Sequence, residues 1–338
     1  MRDQEEGSKH IVIAGGTGFI GRPLAAHLAQ AGHQVIILSR APGAAVRHLT
    51  LPIVTLGWDG HSLGPWATAL EGADAIINLA GEPIANGRWT RARKQLLWDS
   101  RVGTTATLVQ ALSQTASRPP VLLNASGIGF YGASADSPLA ENAPVGSGYL
   151  ADLSQAWEQE AVKAEALGLR VVRLRFGMVL GADGGALARM LLPFRYFLGG
   201  PIMPGDQWVS WIHRQDLIGL IQWALTNQAI HGPVNGVAPG AVTMKEFCRT
   251  LGQVLGRPSW MPVPAFALKL ALGELSTLLT TGQRVEPAVA LRGGFRFRFP
   301  NLLPALEQIV ETAPQTAMPM QASLEKKQPH QQRKESAP

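Results

Sequence analysis

The glycine-rich segment 10–21 constrains the fold of this chain more than any other stretch. An apolar run, Ile11–Ile13, leads into it, and an Ala- and Leu-rich stretch follows up to Gln30. Glycines at 15, 18 and 21 permit a sharp turn after a strand, close approach of a phosphate to the backbone, and close packing of a helix on the strand. The start of that helix offers free N–H groups to phosphates. We therefore predict a dinucleotide site, the alternative being a glycine-rich loop without a ligand; its residues would be Gly15, Thr17, Gly18, Phe19, Ile20 and Gly21.

The end of the second apolar run, Gln34–Leu38, indicates which dinucleotide binds. NAD-binding proteins usually place Asp or Glu here to hold the ribose hydroxyls, but this chain has Ser39 and Arg40. A guanidinium can bind a 2′-phosphate with two hydrogen bonds, whereas a carboxylate would repel it. The sequence thus favours NADP(H) over NAD(H) as the cofactor. The alternative interpretation of Arg40 is a solvated residue at the end of a strand.

Length and composition narrow the class of protein. The 338 residues suggest about two domains, and 46% hydrophobic against 16% charged residues is typical of a globular protein with a large core. The net charge of +6 comes from scattered basic residues, so we do not expect nucleic-acid binding. The single cysteine, Cys248, fits a reducing compartment. With neither a secretory signal nor a membrane span apparent, we expect a cytoplasmic protein.

Strand-like and helical patterns alternate through the first two-thirds of the chain. Helices are expected over Thr90–Ala116 and Leu150–Leu167. The strand candidates are His10–Ala14, Gln34–Leu38, Ile53–Leu56, Ala75–Leu79, Val121–Ala125 and Leu169–Leu174. Such alternation predicts an α/β fold, a doubly wound parallel sheet with helices on both faces. Ligands of these sheets bind at the carboxyl ends of the strands.

The pattern changes after about residue 235. Helices are predicted over Thr243–Leu255 and Ala265–Leu279, followed by an aromatic strand-like run, Gly294–Phe299. We predict an N-terminal extension (1–9), a dinucleotide-binding domain (10–240), a smaller, mainly helical C-terminal substrate or lid lobe (241–312) and a disordered tail (313–338). The tail is assigned because its polar, Gln- and Lys-rich composition cannot bury enough apolar surface to become ordered.

Several of these segments together resemble a known family. GGTGFIG at 15–21, LSR at 38–40 and NLAGEPI at 78–84 are similar to the extended or atypical short-chain dehydrogenases/reductases. Adding GGPI at 199–202 and WIH at 211–213 narrows the resemblance to the NAD(P)-binding nucleoside-diphosphate-sugar-epimerase-like group, which carries a helical C-terminal domain of unknown function. The resemblance covers about residues 10 to 310 and implies a Rossmann-type sheet.

The resemblance also implies further cofactor ligands. In this family the chain after the fourth strand passes the ribose and the pyrophosphate, and the loop after the sixth strand lines the nicotinamide. The positions that match are Asn78, Leu79, Ala80, Gly81, Glu82, Arg101 and Val179. For Arg101 an ion pair on a helix surface is an equally good interpretation.

The residues expected to carry the chemistry match the family only in part. Short-chain dehydrogenases use a Ser and a Tyr-x-x-x-Lys pair, in which the Lys ammonium lowers the tyrosine pKa. Ser126 and Tyr149 match the Ser and the Tyr, but position 153 is Leu.

Two further residues are candidates for proton transfer. Tyr131 is either a second phenol in the substrate cleft or a packed aromatic residue. His213 either transfers a proton or makes a structural hydrogen bond to Asp216. The sequence shows no Cys/His cluster that would indicate a metal site.

Two functions remain open. The first is an NADP(H)-dependent oxidoreductase or epimerase-like enzyme acting on an unidentified small carbonyl or sugar-like substrate, with a homodimer as the assembly considered. The second is a catalytically degenerate NADP-binding regulatory protein, for example a factor linked to cell division. The retained Ser126 supports the first, and the missing lysine at position 153 supports the second.

Overall fold

The computed structural model describes residues 7–43, 53–134 and 136–313. Short apolar, β-branched runs form its strands, because such side chains pack well on a pleated surface that is buried on both sides. In chain order the strands are β1 (His10–Ala14), β2 (Gln34–Ser39), β3 (Ile53–Gly57), β4 (Ala75–Asn78), β5 (Val121–Gly127), β6 (Arg170–Phe176), β7 (Met178–Leu180), β8 (Trp208–Val209), β9 (Trp211–His213), β10 (Gly232–Gly236) and β11 (Val242–Thr243).

Seven of these strands form one parallel sheet in the order β10-β6-β5-β4-β1-β2-β3. The strand order reverses on either side of β1, as in a doubly wound Rossmann-type sheet, so the predicted fold class is confirmed. Strand β1 lies between β4 and β2, with Ala14 beside both Asn78 and Leu38. The loops that follow β1, β2 and β4 therefore meet at one edge of the sheet.

The helices occupy the connections between strands and the C-terminal part of the chain. They are α1 (Gly21–Gln30), α2 (Arg91–Trp98), α3 (Thr104–Gln114), α4 (Tyr149–Val162), α5 (Gly185–Arg195), α6 (Arg214–Thr226), α7 (Met244–Leu255), α8 (Ala265–Leu272), α9 (Thr277–Thr280), α10 (Ala288–Arg292) and α11 (Leu302–Glu311). The helix predicted over Thr90–Ala116 is present but is interrupted by a π-helical turn, Asp99–Gly103, between α2 and α3.

Side chains of β1 alternate between two hydrophobic cores, one on each face of the sheet. Ile11 and Ile13 point into the core formed with α1 and α6, while Val12 and Ala14 point into the core formed with α3. Burial on both faces explains why Ile11–Ala14 of β1 is a continuous apolar run rather than alternating apolar and polar residues.

A third core lies in the C-terminal part of the protein. Phe247 and Leu251 of α7 and Leu306 of α11 pack there against Phe194 of α5 and Trp211 of β9. Helix α5 and strand β9 both precede residue 240, so this core draws on the chain before and after that position. Cys248 is also buried in it, and burial raises the pKa of its thiol to about 12, which makes it an inert apolar residue.

The strand expected over Gly294–Phe299 is not formed, and that prediction is wrong. The alternation of Phe and Arg matches the period of a strand, but the backbone N–H groups of Arg298 and Phe299 donate to the Asp216 carboxylate at 2.8 and 2.9 Å instead of to a neighbouring strand. Phe295 packs on Trp223 of α6. The aromatic residues thus anchor an irregular segment to the face of the sheet that α6 covers.

Two further predictions concern the ends of the chain and the membrane. The tail predicted to be disordered begins at residue 313, and its residues 314–338 lie outside the described residues, as do residues 1–6. Within the described ranges, no helix has the length and apolar character required to cross a membrane.

Candidate functional site

The glycines at 15 and 21 are required by the packing of the protein itself. Gly15 has φ of +77°, and a Cβ there would lie 2.7 Å from the carbonyl carbon of Leu79. A Cβ on Gly21, the first residue of α1, would overlap the carbonyl oxygen of Gly15. These two glycines therefore provide the turn after β1 and the close seating of α1.

Gly18 differs because nothing in the fold requires a glycine there. Its backbone is not left-handed, it is exposed, and the nearest neighbour of an added Cβ is the Gly15 carbonyl oxygen at 3.4 Å, an ordinary contact. The N-cap residue of α1, Ile20, makes no side-chain capping bond, and the first turn contains no acidic residue. The open space at Gly18 therefore lies next to the start of α1, whose N–H groups are uncapped and carry a partial positive charge. A pyrophosphate site requires this combination.

Arg40 follows β2 directly and reaches across this turn. The Ser39 side chain is buried and accepts a hydrogen bond from the Ala41 N–H at 3.2 Å. The Arg40 side chain is 75% exposed, and its Nη1 donates to Glu82 Oε1 at 3.0 Å. Because β2 and β4 flank β1, this ion pair joins the segments that follow the two strands on either side of the glycine turn.

Asn78, at the end of β4, shapes the next loop from inside the protein. Its fully buried amide donates to Thr105 Oγ1 at 2.9 Å and to Asn124 Oδ1 at 2.7 Å, and its Oδ1 accepts from the Ala80 N–H at 3.2 Å. These bonds use the amide internally, so the side chain faces α3 and β5 rather than the cleft. Leu79 is half-buried beside Gly15, which brings this loop against the glycine turn.

The π-helical turn Asp99–Gly103 brings Arg101 under the same loop. Arg101 is 7% exposed, and its Nη2 donates to the carbonyl oxygen of Glu82 at 2.8 Å. A Cβ on Gly81 would lie 3.1 Å from the Arg101 guanidinium carbon, which explains a glycine there. Burial lowers the Arg101 pKa to about 10, so the side chain stays a cation at neutral pH. Because Arg101 is buried and donates to a backbone carbonyl, it does not form the ion pair on a helix surface that was the alternative interpretation.

Ser100, in the same turn, had no role assigned from the sequence. Its Oγ accepts a hydrogen bond from the Glu82 N–H at 3.1 Å and donates to the Leu97 carbonyl at 3.1 Å. Insertions of a π turn into α-helices are frequent at functional sites, and no residue preference marks them in a single sequence. The turn thus holds both the backbone N–H and the backbone carbonyl of Glu82.

Phe19 connects the glycine turn to the segment that follows β7. The Phe19 ring lies so close to Gly181 and Gly184 that a Cβ on either would approach it to 2.9 or 2.6 Å. The Arg214 guanidinium lies 4.8 Å from the centre of the Phe19 ring. Val179 is half-buried in β7, which pairs with β9.

Ser126 and Tyr131 belong to one buried polar network in which both hydroxyl protons are used. Ser126 Oγ donates to Glu158 Oε1 at 2.8 Å, and Tyr131 Oη donates to Asn235 Oδ1 at 2.7 Å. Arg175 joins the two, binding both oxygens of Glu158 at 2.7 and 2.9 Å and donating to Tyr131 Oη at 2.9 Å. Burial raises the Tyr131 pKa. Glu158 and Arg175 had no role assigned from the sequence, because a pattern does not reveal which charges pair inside a core.

Tyr149, the first residue of α4, opens instead onto a cavity of about 410 Å³ between α2 and Glu274. We call this the Tyr149 cavity; it is lined by Trp89, Arg91, Lys94, Gln95, Trp98, Tyr149 and Glu274. The Tyr149 hydroxyl donates to the Lys94 carbonyl at 2.7 Å. Lys94 Nζ lies 4.9 Å from the Tyr149 ring centre and 2.6 Å from a Glu274 carboxylate oxygen. Burial raises the Tyr149 pKa, and the positive charge of Arg101 opposes that change.

His213 lies at a different cavity, of about 260 Å³, with Asp183, Arg214 and Gln308 among its lining residues. Its Nδ1 caps α6 by accepting from the Gln215 N–H at 3.1 Å, and its Nε2 lies 2.9 Å from Gln308 Oε1. This pattern assigns the ring proton to Nε2. Burial lowers the His213 pKa from 6.5 to about 4. The hydrogen bond anticipated between His213 and Asp216 is not formed.

The doubly wound parallel sheet and the glycine turn after β1 define a Rossmann-type protein, and comparison with known sequences agrees. A model of the NAD dependent epimerase/dehydratase family matches residues 11–235, and a model of a domain of unknown function, DUF1731, matches residues 263–309. The chain belongs to the NAD dependent epimerase/dehydratase family. The resemblance stated from the sequence, including its C-terminal domain, is thereby confirmed.

Individual relatives can also be named. The chain is 40% identical over 313 residues to the epimerase family protein SDR39U1 homolog, chloroplastic, of Arabidopsis thaliana, covering 91% of this chain and 88% of the relative. It is 39% identical to the epimerase family protein YfhF of Bacillus subtilis, covering 89% and 98%. It is also similar to a crystal structure of human epimerase family protein SDR39U1 (isoform2) with NADPH, with a TM-score of 0.79, 35% identity and coverage of 89% and 99%.

Proposed function

We propose that this protein is an NADP(H)-dependent oxidoreductase acting on a small carbonyl or sugar-like substrate. The observation that carries the proposal is Gly18, whose open space faces the uncapped start of α1 and which the fold alone does not require. Arg40, at the end of the neighbouring strand, supplies a cation where NAD-binding proteins place a carboxylate. The human relative solved with NADPH supports the same cofactor.

The residues of the cleft fit such a dinucleotide. Backbone groups of the glycine turn would hold the pyrophosphate, Ser39 and Arg40 would hold the 2′-phosphate, and Val179 would line the nicotinamide. Asn78 would act through the turn that it holds in place. The full set of residues proposed to bind or position the cofactor is Gly15, Thr17, Gly18, Phe19, Ile20, Gly21, Ser39, Arg40, Asn78, Leu79, Ala80, Gly81, Glu82, Arg101 and Val179.

Tyr149 is the proposed proton donor. NADPH, when bound, supplies a hydride to a carbonyl carbon. Tyr149 would donate its phenol proton to the carbonyl oxygen, and its raised pKa keeps that proton in place at neutral pH. Ser126 and Tyr131 are buried and donate their hydroxyl protons inside the protein, and the lone pair on Nδ1 of His213 caps α6. These three candidates fit a positioning role better than proton transfer. Tyr149 also donates its proton inside the protein, to the Lys94 carbonyl, but it is only half-buried and lines an open cavity in which a substrate carbonyl could replace that acceptor.

The Tyr149 cavity is the proposed substrate site. Its volume of about 410 Å³ suits a small molecule. Trp89 and Trp98 offer flat apolar walls, and Arg91 and Lys94 outnumber the single carboxylate of Glu274. Arg101 connects this cavity to the proposed cofactor cleft: its positive charge opposes the rise that burial causes in the pKa of Tyr149, and its guanidinium donates a hydrogen bond to the Glu82 carbonyl.

The alternative function, an NADP-binding regulatory protein without catalysis, is favoured by one observation. Leu153, at the position of the family's lysine, is buried in a hydrophobic cluster with Trp89, Leu97 and Leu275. A cation cannot occupy that position without disrupting the cluster. Under this alternative the protein would bind the cofactor and a partner but would not oxidise or reduce a substrate.

One experiment tests the proposal against this alternative. Purified protein is mixed with NADPH and a panel of small aldehydes, ketones and keto-sugars, and NADPH oxidation is followed by absorbance. We expect turnover with at least one compound, and loss of most of that rate in Tyr149→Phe with unchanged NADPH affinity. Tyr196→Phe, a change at an exposed tyrosine, is the matched control. NADPH binding without turnover across the panel would favour the regulatory protein, and full activity of Tyr149→Phe would refute the proton-donor role.

A further inference from the structure

Glu82 stands between two cations at the mouth of the proposed cofactor cleft. Its Oε1 lies 3.0 Å from Arg40 Nη1, and its Oε2 lies 3.6 Å from Arg93 Nη1. The Glu82 backbone is held from both sides, because its N–H donates to Ser100 and its carbonyl accepts from Arg101. The Glu82 backbone is therefore fixed in place, whereas the Arg40 side chain is 75% exposed.

The position of the ion pair in the sheet makes it relevant to the cofactor. Arg40 follows β2 and Glu82 lies four residues beyond β4, and these strands flank β1 with its glycine turn. The pair therefore crosses the place where the adenosine ribose of a dinucleotide would lie. A 2′-phosphate that binds Arg40 takes the place of one carboxylate oxygen and meets the negative charge of Glu82.

Arg93 provides Glu82 with a second partner. The Arg93 side chain is only 16% exposed, and within the described ranges its Nε–H is buried without a hydrogen-bond partner. A Glu82 carboxylate released by Arg40 can therefore turn fully towards Arg93 and keep a counter-ion. Breaking the exposed half of the arrangement costs little, because surface ion pairs are weak.

We infer that Glu82 is a specificity-determining residue: an internal counter-ion that holds Arg40 until the 2′-phosphate of NADP(H) replaces it, and that thereby limits the preference for NADP(H) over NAD(H). The inference rests on the proposed function, since it requires the cofactor to bind in this cleft. NAD(H) lacks the 2′-phosphate, so its binding leaves the ion pair intact.

The test measures dissociation constants for NADPH and NADH by tryptophan fluorescence, with the full chain and its Glu82→Gln variant. We expect Glu82→Gln to bind NADPH about fivefold more tightly, as loss of one surface ion pair and its repulsion implies, and NADH with less than twofold change. Glu160→Gln is the matched control: it removes a carboxylate from another ion pair, with Lys163, and Glu160 is 19% exposed where Glu82 is 18% exposed.

The combination with Arg40→Ala separates the proposed mechanism from a general charge effect. In the Arg40→Ala background the gain from Glu82→Gln is expected to vanish, because the cation that Glu82 restrains is gone. Unchanged or weaker NADPH binding by Glu82→Gln, or the same gain with and without Arg40, would overturn the inference. Failure of the unmodified protein to bind either dinucleotide would instead refute the proposed function.

Discussion

Substituting Gly18 by alanine separates cofactor binding from folding. The added methyl group would lie 3.4 Å from the Gly15 carbonyl oxygen and would otherwise project into open space, at a backbone conformation that is not left-handed. Glycine-to-alanine changes at such positions stabilise a fold by about 0.4–1 kcal/mol, because the unfolded chain loses freedom. We therefore expect the melting temperature of Gly18→Ala to stay the same or rise slightly.

Cofactor affinity should respond in the opposite direction. If a pyrophosphate packs against the Gly18 backbone, the methyl group overpacks that contact, which typically costs about 1–3 kcal/mol. At about 1.4 kcal/mol for each factor of ten, the dissociation constant for NADPH should rise by about five- to 150-fold. Isothermal titration calorimetry measures the affinity, and differential scanning calorimetry measures the stability of the same preparation.

Gly21→Ala is the informative comparison for this prediction. Its methyl group would overlap the Gly15 carbonyl oxygen, so this variant should lose stability as well as binding. Unimpaired NADPH binding by Gly18→Ala would refute the reasoning that the space above Gly18 is reserved for the cofactor. A large drop in its melting temperature would refute the claim that the fold tolerates a side chain there.

Two further predictions concern stability. The neutral, buried His213 has a pKa lowered from 6.5 to about 4, so as the pH falls through this window the unfolded chain binds a proton that the folded protein does not. Between pH 7 and pH 4 the free energy of unfolding should then decrease by up to about 3 kcal/mol more than in His213→Asn, a variant that keeps a cap for α6 but does not titrate. An equal pH dependence of the free energy of unfolding in the two proteins, measured with urea, would contradict this. Glu158→Gln leaves the buried Arg175 without its counter-ion and should lower the free energy of unfolding by about 3–5 kcal/mol. Glu160→Gln, whose partner Lys163 is exposed, should lower it by less than about 1 kcal/mol. Equal losses of stability for the two variants in urea unfolding would refute the claim that the buried ion pair contributes more.

The sheet could be predicted from the sequence because local signals and burial agree in it. The runs at the centres of β1 and β2, Ile11–Ile13 and Val35–Leu38, are apolar and rich in β-branched residues, and the glycine-rich turn begins directly after β1. Gly294–Phe299 misled the same reasoning, since alternation of Phe and Arg has the period of a strand whether or not a partner strand exists. The partner of that segment is Asp216, which is distant in sequence.

The candidate site divides in the same way. The glycine turn and Arg40 could be proposed as cofactor-binding residues because the pattern that predicts this role lies within a few residues of each. The use of the Ser126 hydroxyl by Glu158 and the π-helical turn that positions Arg101 depend on packing between distant segments. A residue type in a pattern therefore indicates a candidate cofactor site, but not the group to which each hydroxyl donates its proton.

The central claim is that the cleft above the glycine turn takes a nicotinamide dinucleotide that carries a 2′-phosphate. The most direct measurement is titration of the full chain, freed of bound nucleotide, with NADPH and with NADH by isothermal titration calorimetry. We predict saturable binding of NADPH with a lower dissociation constant than that of NADH. Absence of saturable binding of either compound at millimolar concentration, or equal affinities for the two, would contradict the claim.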